Sequence, residues 1–197
     1  MKEDILRDFY LTKKLSVSAI AKKFCVSESK INYWLFKYGI GKRSISEAIY
    51  IKKNPQGDPF RFKIPKTRAD LILYGLGIGL YWGEGNKRNK NSLRLGNVDP
   101  NLIKAHISFL ERIYSIDKSK LKFGLQIFSD VSPNIAQKFW IDKLNINLSQ
   151  FHKVIVTPAR GIGNYKNKSK YGVLTVYFNN SKLKKRIDNL IESFPLV

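Results

Sequence analysis

Hydrophobic and polar positions alternate with a helical period through residues 1–50. In SVSAIAKKFCVSESKINYWLFKYGI, which begins at Ser16, apolar residues recur every three or four positions. Ser16 and Ser27 stand where each would cap a helix, and Asp4–Lys13 predicts an earlier one. The pattern predicts a single packed apolar face across a short turn, formed by Ile20, Ala21, Phe24, Val26, Ile31 and Trp34.

Beyond residue 68 the pattern predicts strands with helices between them. The predicted helices are Ala69–Gly83, Pro100–Tyr114, Pro133–Leu144 and Ser181–Phe194, and the predicted strands are residues 92–98, Leu121–Ser129, Phe151–Thr157 and Tyr171–Phe178. The last two strands are expected to pair as a hairpin before the final helix. This order predicts an α+β domain over residues 69–197, preceded by a helical domain over residues 1–50.

A basic, proline-rich stretch, IKKNPQGDPFRFKIPKTR, joins the two predicted domains over residues 51–68. Its prolines and glycine break a helix, so a semi-extended linker is expected. Cations alternate in it with apolar residues, which suits either a segment that follows a DNA groove or a short edge strand. The alternating residues are Phe60, Arg61, Phe62, Lys63, Ile64 and Lys66.

The net charge of +21 indicates an anionic partner, because such an excess of cations attracts a polyanion. Nucleic acid is the first candidate, since each neutralised phosphate releases a counterion, although a generally lysine-rich composition would give the same total. The longest uncharged run, Leu71–Gly83, is shorter than the ~20 residues that span a bilayer. The single cysteine suits a reducing compartment, and we expect a prokaryotic-type cytosol or nucleoid.

The capped helix pair in residues 1–50 resembles the helix-turn-helix modules of resolvases and homeodomain-like regulators. Cys25 stands at the turn position that glycine usually holds. The resemblance implies that Ser29, Asn32 and Tyr33 face the major groove of double-stranded DNA and that Lys30 and Lys37 contact phosphates. An ordinary solvated helix face is the alternative for these five residues.

Glycines stand four residues apart in YGLGIGLYWGEGNKRNK, at Gly75, Gly79 and Gly83. Residues at this spacing lie on one helix face, and each glycine costs roughly 1 kcal/mol of helix propensity. Close packing of two such helices would offset that cost, and the chain contains the motif once. A symmetric homodimer through this face is therefore predicted, and the alternative is a close contact with another element of the same chain.

Glu84 ends this helix, where backbone carbonyls already provide a partial negative charge. Two copies in a dimer would place two carboxylates together, and a divalent cation would compensate them. The segment GIGLYWGEG resembles the LAGLIDADG motif of homing endonucleases: Gly79 and Gly83 match its small residues, and Glu84 with Gly85 matches its closing acidic–glycine pair. The resemblance extends from Arg68 to the C-terminal end, with Trp82 at the motif's other acidic position and an additional helix at Pro133–Leu144.

The resemblance implies a saddle-shaped sheet over DNA and a catalytic Glu84 from each subunit. Glu84 and the Gly83 carbonyl would bind Mg²⁺ at the scissile phosphates. The alternation of the strands places Arg94, Lys122 and Gln126 on the face opposite the apolar residues, where they would read bases. Further phosphate contacts are expected from the cations after the motif and in a later loop, namely Lys87, Arg88, Lys90, Arg160, Lys166, Lys168 and Lys170.

Three functions are compatible with these features. The first is a Mg²⁺-dependent, site-specific DNA endonuclease of homing type that acts as a homodimer, and the acidic residue favours it. The second is a transcription regulator that binds DNA without cleaving it. The helix-turn-helix module favours it, since the divergent members of the family include regulators, joined to such modules, that no longer cut DNA. The third is an RNA-binding splicing factor.

Overall fold

Helices fill most of residues 1–53, and three of them begin at a serine cap. In the computed structural model, which describes residues 1–159 and 169–193, the Oγ atoms of Ser16, Ser27 and Ser44 each accept a backbone N–H three residues later, at 3.0–3.2 Å. Both caps predicted from the sequence are thereby confirmed. The helices are α1 (Glu3–Arg7), continued by the π-helical turn Asp8–Thr12, then α2 (Val17–Lys23), α3 (Glu28–Lys37) and α4 (Ile45–Lys53).

The first three helices enclose a small apolar core. Ile20, Ala21 and Ile31 are buried in it, and Phe24, Val26 and Trp34 pack around it, so the predicted apolar face is confirmed. The remaining buried members are Leu6, Tyr10, Leu35 and Ile40. These residues belong to the first of two compact units, Met1–Pro59, and the second unit is Phe60–Val197.

Cys25 occupies the turn between α2 and α3 with a left-handed backbone, φ 52°. Such a conformation costs a side-chain-bearing residue about 1 kcal/mol, and glycine adopts it without that cost. We therefore expect Cys25→Gly to raise the free energy of unfolding of the first unit by about 1 kcal/mol in urea titrations. Cys25→Ser, which removes the thiol and keeps the strain, should leave it unchanged; equal effects of both variants would contradict the strain.

The second unit is built from helices and a four-stranded sheet, which confirms the α+β class. Most predicted elements are present within two residues of their predicted bounds. The strand predicted at Phe151–Thr157 is wrong over its first half, where Phe151 forms only an isolated bridge to Phe123. The elements are α5 (Arg68–Glu84), β1 (Leu93–Asn97), α6 (Pro100–Tyr114), β2 (Lys122–Phe128), α7 (Pro133–Leu144), β3 (Ile155–Thr157), β4 (Val173–Phe178) and α8 (Ser181–Glu192).

The strand order is β1-β4-β2-β3. Strand β4 pairs antiparallel with both β1 and β2, while β3 pairs parallel to β2 through the α7 crossover. The predicted hairpin between the last two strands is therefore wrong, because β2 lies between them. On the other edge, Gly85 bridges to Leu95, so the chain beyond α5 begins a further antiparallel pairing with β1.

One face of the sheet packs against helices α5, α6, α7 and α8, and the core lies between the sheet and these helices. Phe60 and Phe62 pack against this core, and the N–H groups of Arg61 and Lys63 donate to the Tyr114 and Ile113 carbonyls at 2.8 and 2.7 Å. This part of the predicted linker thus follows the end of α6 and forms no edge strand. Residues 51–53 are the last turn of α4. Among the described residues, no helix has the length and apolar character needed to cross a membrane.

Candidate nucleic-acid interface

The outer face of α5 carries the glycine stripe and is open. A Cβ atom added to Gly75, Gly79 or Gly83 would meet no atom within 4 Å apart from the helix's own backbone and adjacent residues. Ile72 and Leu76 lie on the same face and are 60% and 46% exposed. The described part of the chain thus leaves an apolar, side-chain-poor helix face uncovered, which we call the open face of α5.

Gly77, which is not part of the stripe, makes the close contact within the chain. A Cβ atom there would overlap the Phe109 ring and lie 2.7 Å from the Cβ atom of Phe109. Helices α5 and α6 approach each other at this point, because the missing side chain leaves room for an aromatic ring. The intrachain packing of α5 therefore uses the face opposite the stripe.

The C-terminal end of α5 presents Glu84, which is exposed, beside a lysine that binds the helix carbonyls. Lys87 Nζ donates to the Tyr81 carbonyl at 2.7 Å and also to the Trp82 carbonyl. A lysine in this position neutralises the negative end of the helix dipole. The carboxylate of Glu84 is thus adjacent to one cation of its own chain, a compensation that sequence reasoning missed because it assigned Lys87 to phosphate.

A buried polar cluster supports this helix end from behind. Lys184 is buried, forms an ion pair with Asp188 and lies 5.6 Å from the centre of the Tyr81 ring. The Tyr81 hydroxyl donates to the Asn86 carbonyl at 3.1 Å. Burial and the Asp188 carboxylate raise the pKa of Tyr81, and burial and the Lys184 ammonium lower the pKa of Lys87. The cluster fixes the loop that follows Glu84 against the helix.

The atoms at this helix end that could bind a cation are oxygens, the ligands that Mg²⁺ prefers. They are the Glu84 carboxylate and the Gly83 carbonyl, to which no hydrogen bond is donated from outside the helix by any described residue. Within the described residues there is no group of three or more His, Cys, Asp or Glu side chains that could hold a metal ion. One chain therefore supplies a fitting but incomplete ligand set.

His106 lies in the core behind the site, stacked on Tyr81 with ring centroids 6.4 Å apart. It is completely buried, and neither ring nitrogen has a hydrogen-bond partner among the described residues. Burial lowers the pKa of His106 to about 4. The imidazole is therefore neutral in the folded protein at neutral pH.

We expect this histidine to make the folded protein less stable in acid. Between pH 6.5, its ordinary pKa, and pH 4 the unfolded chain binds a proton that the folded chain does not, so the free energy of unfolding should fall by about 3 kcal/mol over that window. His106→Leu should remove most of that slope in denaturant titrations from pH 4 to 7. His152→Gln, a change at an exposed histidine, should keep it; loss of the slope in both variants would contradict the assignment.

The face of the sheet away from the helices carries a row of cations and one aromatic ring. The strand register places Arg94, Tyr177 and Lys122 side by side on β1, β4 and β2. The Arg94 guanidinium lies 5.1 Å from the centre of the Tyr177 ring, and the His152 ring meets the same ring edge-on at 5.4 Å. Gly124 leaves room for the Tyr177 ring beside it. We call this surface the outer sheet face.

The sequence-predicted readers lie on this outer sheet face. Gln126 is exposed there and donates to Thr157 Oγ1 at 3.2 Å, and Lys122 Nζ donates to the Ser149 carbonyl at 3.3 Å. Sequence reasoning missed Tyr177 and His152; the alternation of β4, with Leu174, Val176 and Phe178 buried, was the signal for Tyr177. The cations Arg88, Lys90 and Lys170 are exposed, whereas Arg160, Lys166 and Lys168 lie outside the described residues.

In the first unit, the outer face of α3 holds the other predicted readers. Ser29 and Tyr33 are exposed and lie away from the buried Ile31 and Leu35, whereas Asn32 is half-buried at the edge of this face. Lys30 and Lys37 are exposed, and each lies beside an aromatic ring. Lys30 Nζ is 5.5 Å from the centre of the Trp34 ring, and Lys37 Nζ is 6.0 Å from the centre of the Tyr38 ring. The sequence reasoning left out Phe36, which is on this outer face and 85% exposed.

No protein-family model, curated protein or solved structure matches this chain. The function of the protein is therefore inferred from the chain's own residues and their positions.

Proposed function

We propose that the protein binds double-stranded DNA at specific sites and acts on it as a Mg²⁺-dependent, homing-type endonuclease of the LAGLIDADG class, working as a homodimer. The observation that carries this proposal is the open face of α5, on a helix whose last residue, Glu84, is an exposed carboxylate. A helix that exposes Ile72 and Leu76 around three bare glycines gains most by packing against another copy of itself.

A two-fold contact through this face, which includes Gly83 in the last turn, would bring the C-terminal ends of the two α5 helices together, and each of these ends carries a Glu84. The paired carboxylates and Gly83 carbonyls would then complete the oxygen ligand set that one chain supplies only in part. In such a site bound Mg²⁺ supplies charge neutralisation at the phosphate and a water of lowered pKa. Such a site would be shared between two chains, and no group of three or more His, Cys, Asp or Glu side chains in the described residues of one chain could hold the ion alone.

The residues of this chain would hold the substrate and fix the acid. Lys87, bound to the last carbonyls of α5, keeps the helix end in place and adds a positive charge beside Glu84. The Arg94, Tyr177 and Lys122 row on the outer sheet face offers two cations to phosphates or base edges and a ring between them. The outer face of α3 adds a second, separate DNA-reading surface.

The antiparallel pairing of the strands that follow α5 supports the proposed saddle-shaped sheet. A helix that ends in the acidic residue is followed by the Gly85 bridge, then β1, and the central β4 pairs antiparallel with both β1 and β2. Helix α7 and the parallel strand β3 are additions at the β2 edge. Because they extend one edge of the sheet, they do not interrupt the antiparallel β1-β4-β2 pairing.

A non-cleaving transcription regulator is the second candidate. The first unit has its own core and three serine-capped helices, so it would be able to read DNA without the acidic centre. A regulator would use the same surfaces, and Glu84 would then have no chemical role.

The decisive experiment incubates the full-length protein with a random pool of linear duplexes, with Mg²⁺ or with EDTA, over a range of salt concentrations. We expect affinity to fall steeply as salt rises, because Lys and Arg contacts release counterions, and cleavage to occur in Mg²⁺ alone. Affinity that is unchanged over a severalfold rise in salt would overturn the nucleic-acid proposal. Tight, metal-independent binding without cleavage at any site would select the regulator, and preference for single-stranded RNA would select the splicing factor.

A further inference from the structure

Two aromatic side chains on the outer face of α3 are exposed. Phe36 and Tyr33 are 85% and 58% exposed, and both lie opposite the buried Ile31 and Leu35. Ser29 lies on the same side, so the helix presents rings beside small polar groups. A phenyl ring that stays in water forgoes the free energy of burial, and this face is therefore arranged for a partner with an apolar group of its own.

The charges of α2 and α3 favour a polyanion. Between residues 16 and 38 the only acidic side chain is Glu28, in the first turn of α3. The exposed cations of the same stretch are Lys22, Lys23, Lys30 and Lys37. An apolar protein surface would not require this cationic frame, whereas duplex DNA combines phosphates with an apolar group in the major groove. That group is the C5-methyl of thymine.

We propose that Phe36, together with Tyr33, contacts thymine methyl groups in the major groove, so that the first unit selects sites containing A·T pairs at defined positions. This inference rests on the proposed DNA-binding function and deepens it by naming the base that α3 reads. Asn32 lies one helical turn before Phe36, on an adjoining part of the helix surface. Asparagine pairs with the N6 and N7 positions of adenine, so the two side chains read opposite members of A·T pairs.

The test removes the methyl group and the ring separately. The full-length protein is first used to select duplexes from a random pool, and the selected duplex is then rebuilt with deoxyuridine in place of each thymine in turn. We expect one or two of these replacements to weaken binding of the unaltered protein about fourfold, as expected for one apolar carbon removed from a buried contact. Phe36→Ala should bind more weakly and be insensitive to deoxyuridine at those same positions.

Lys37→Ala serves as the matched control on the same helix. It should lower affinity for all duplexes alike and keep the deoxyuridine pattern, because a phosphate contact is independent of the base. Phe36 is exposed, so its truncation should leave the circular-dichroism melting curve unchanged, which separates lost recognition from unfolding.

The possible failures are distinguishable. Salt-sensitive duplex binding with no response to deoxyuridine at any position would overturn this inference and leave the proposed function standing. Unchanged duplex affinity and an unchanged deoxyuridine pattern in Phe36→Ala would also overturn it and assign the face to a protein partner. Failure to enrich any duplex would overturn both.

Discussion

Glutamine in place of Glu84 is expected to lower Mg²⁺-dependent cleavage by at least about a hundredfold while leaving duplex affinity nearly unchanged. Glutamine keeps the shape of the side chain and removes the negative charge that holds the cation. Glu84 is exposed at the end of α5, so neither the core nor the outer sheet face is disturbed. Single-turnover cleavage of a selected duplex, with binding measured in Ca²⁺ or EDTA, separates the two effects.

Glu192→Gln is the matched control, since it removes the same charge from an exposed helix position, on α8, in the same unit. It should cleave at the rate of the unaltered protein. Retained cleavage in Glu84→Gln would show that the acid at the end of α5 takes no part in the chemistry. A parallel loss of binding would instead give Glu84 a structural function.

Two alanine substitutions on one helix are expected to have opposite effects on stability. Gly77→Ala should lower the free energy of unfolding by about 2–3 kcal/mol, because the added Cβ overlaps the Phe109 ring and the buried ring cannot easily move. Gly79→Ala should raise the stability of the isolated chain by about 1 kcal/mol, because its Cβ enters open space and alanine is the better helix former. Denaturant titration at low protein concentration measures both.

The same pair tests the dimer. In sedimentation at raised protein concentration, Gly79→Ala should shift the equilibrium towards the monomer, since a methyl group in the stripe separates two closely packed helices. A Gly79→Ala protein that associates as strongly as the unaltered one would show that the open face of α5 is not the contact between copies. Equal destabilisation by both substitutions would show that Gly79 is covered in the folded chain.

Local signals predicted the elements of this fold well. The serine caps of α2 and α3 and the prolines at the starts of α6 and α7 act within one helical turn, so the sequence carries them directly. The pairing of β3 with β2 was not predictable in this way. Strand β3 has three residues, and the α7 crossover brings it beside β2. This contact is long-range, and the local alternation of apolar and polar residues does not encode it.

In the candidate site, too, the sequence predicted the local features and missed the contacts between distant residues. The four-residue spacing correctly separated Gly75, Gly79 and Gly83 as one face, but only the structure identifies Gly77 as the glycine that packs against Phe109. Likewise, the bonds from Lys87 to the α5 carbonyls run from a loop back to the helix, and the sequence alone gives no sign of them. Whether Glu84 binds Mg²⁺ and whether two chains associate stay predictions.

Cys25 provides a single site for chemical labelling. It is the single cysteine of the chain, its thiol is exposed, and it lies at the turn immediately before α3. A maleimide fluorophore would therefore attach at one native position next to the proposed reading helix, with no substitution elsewhere. Its emission could follow the docking of α3 in real time, separately from events in the second unit.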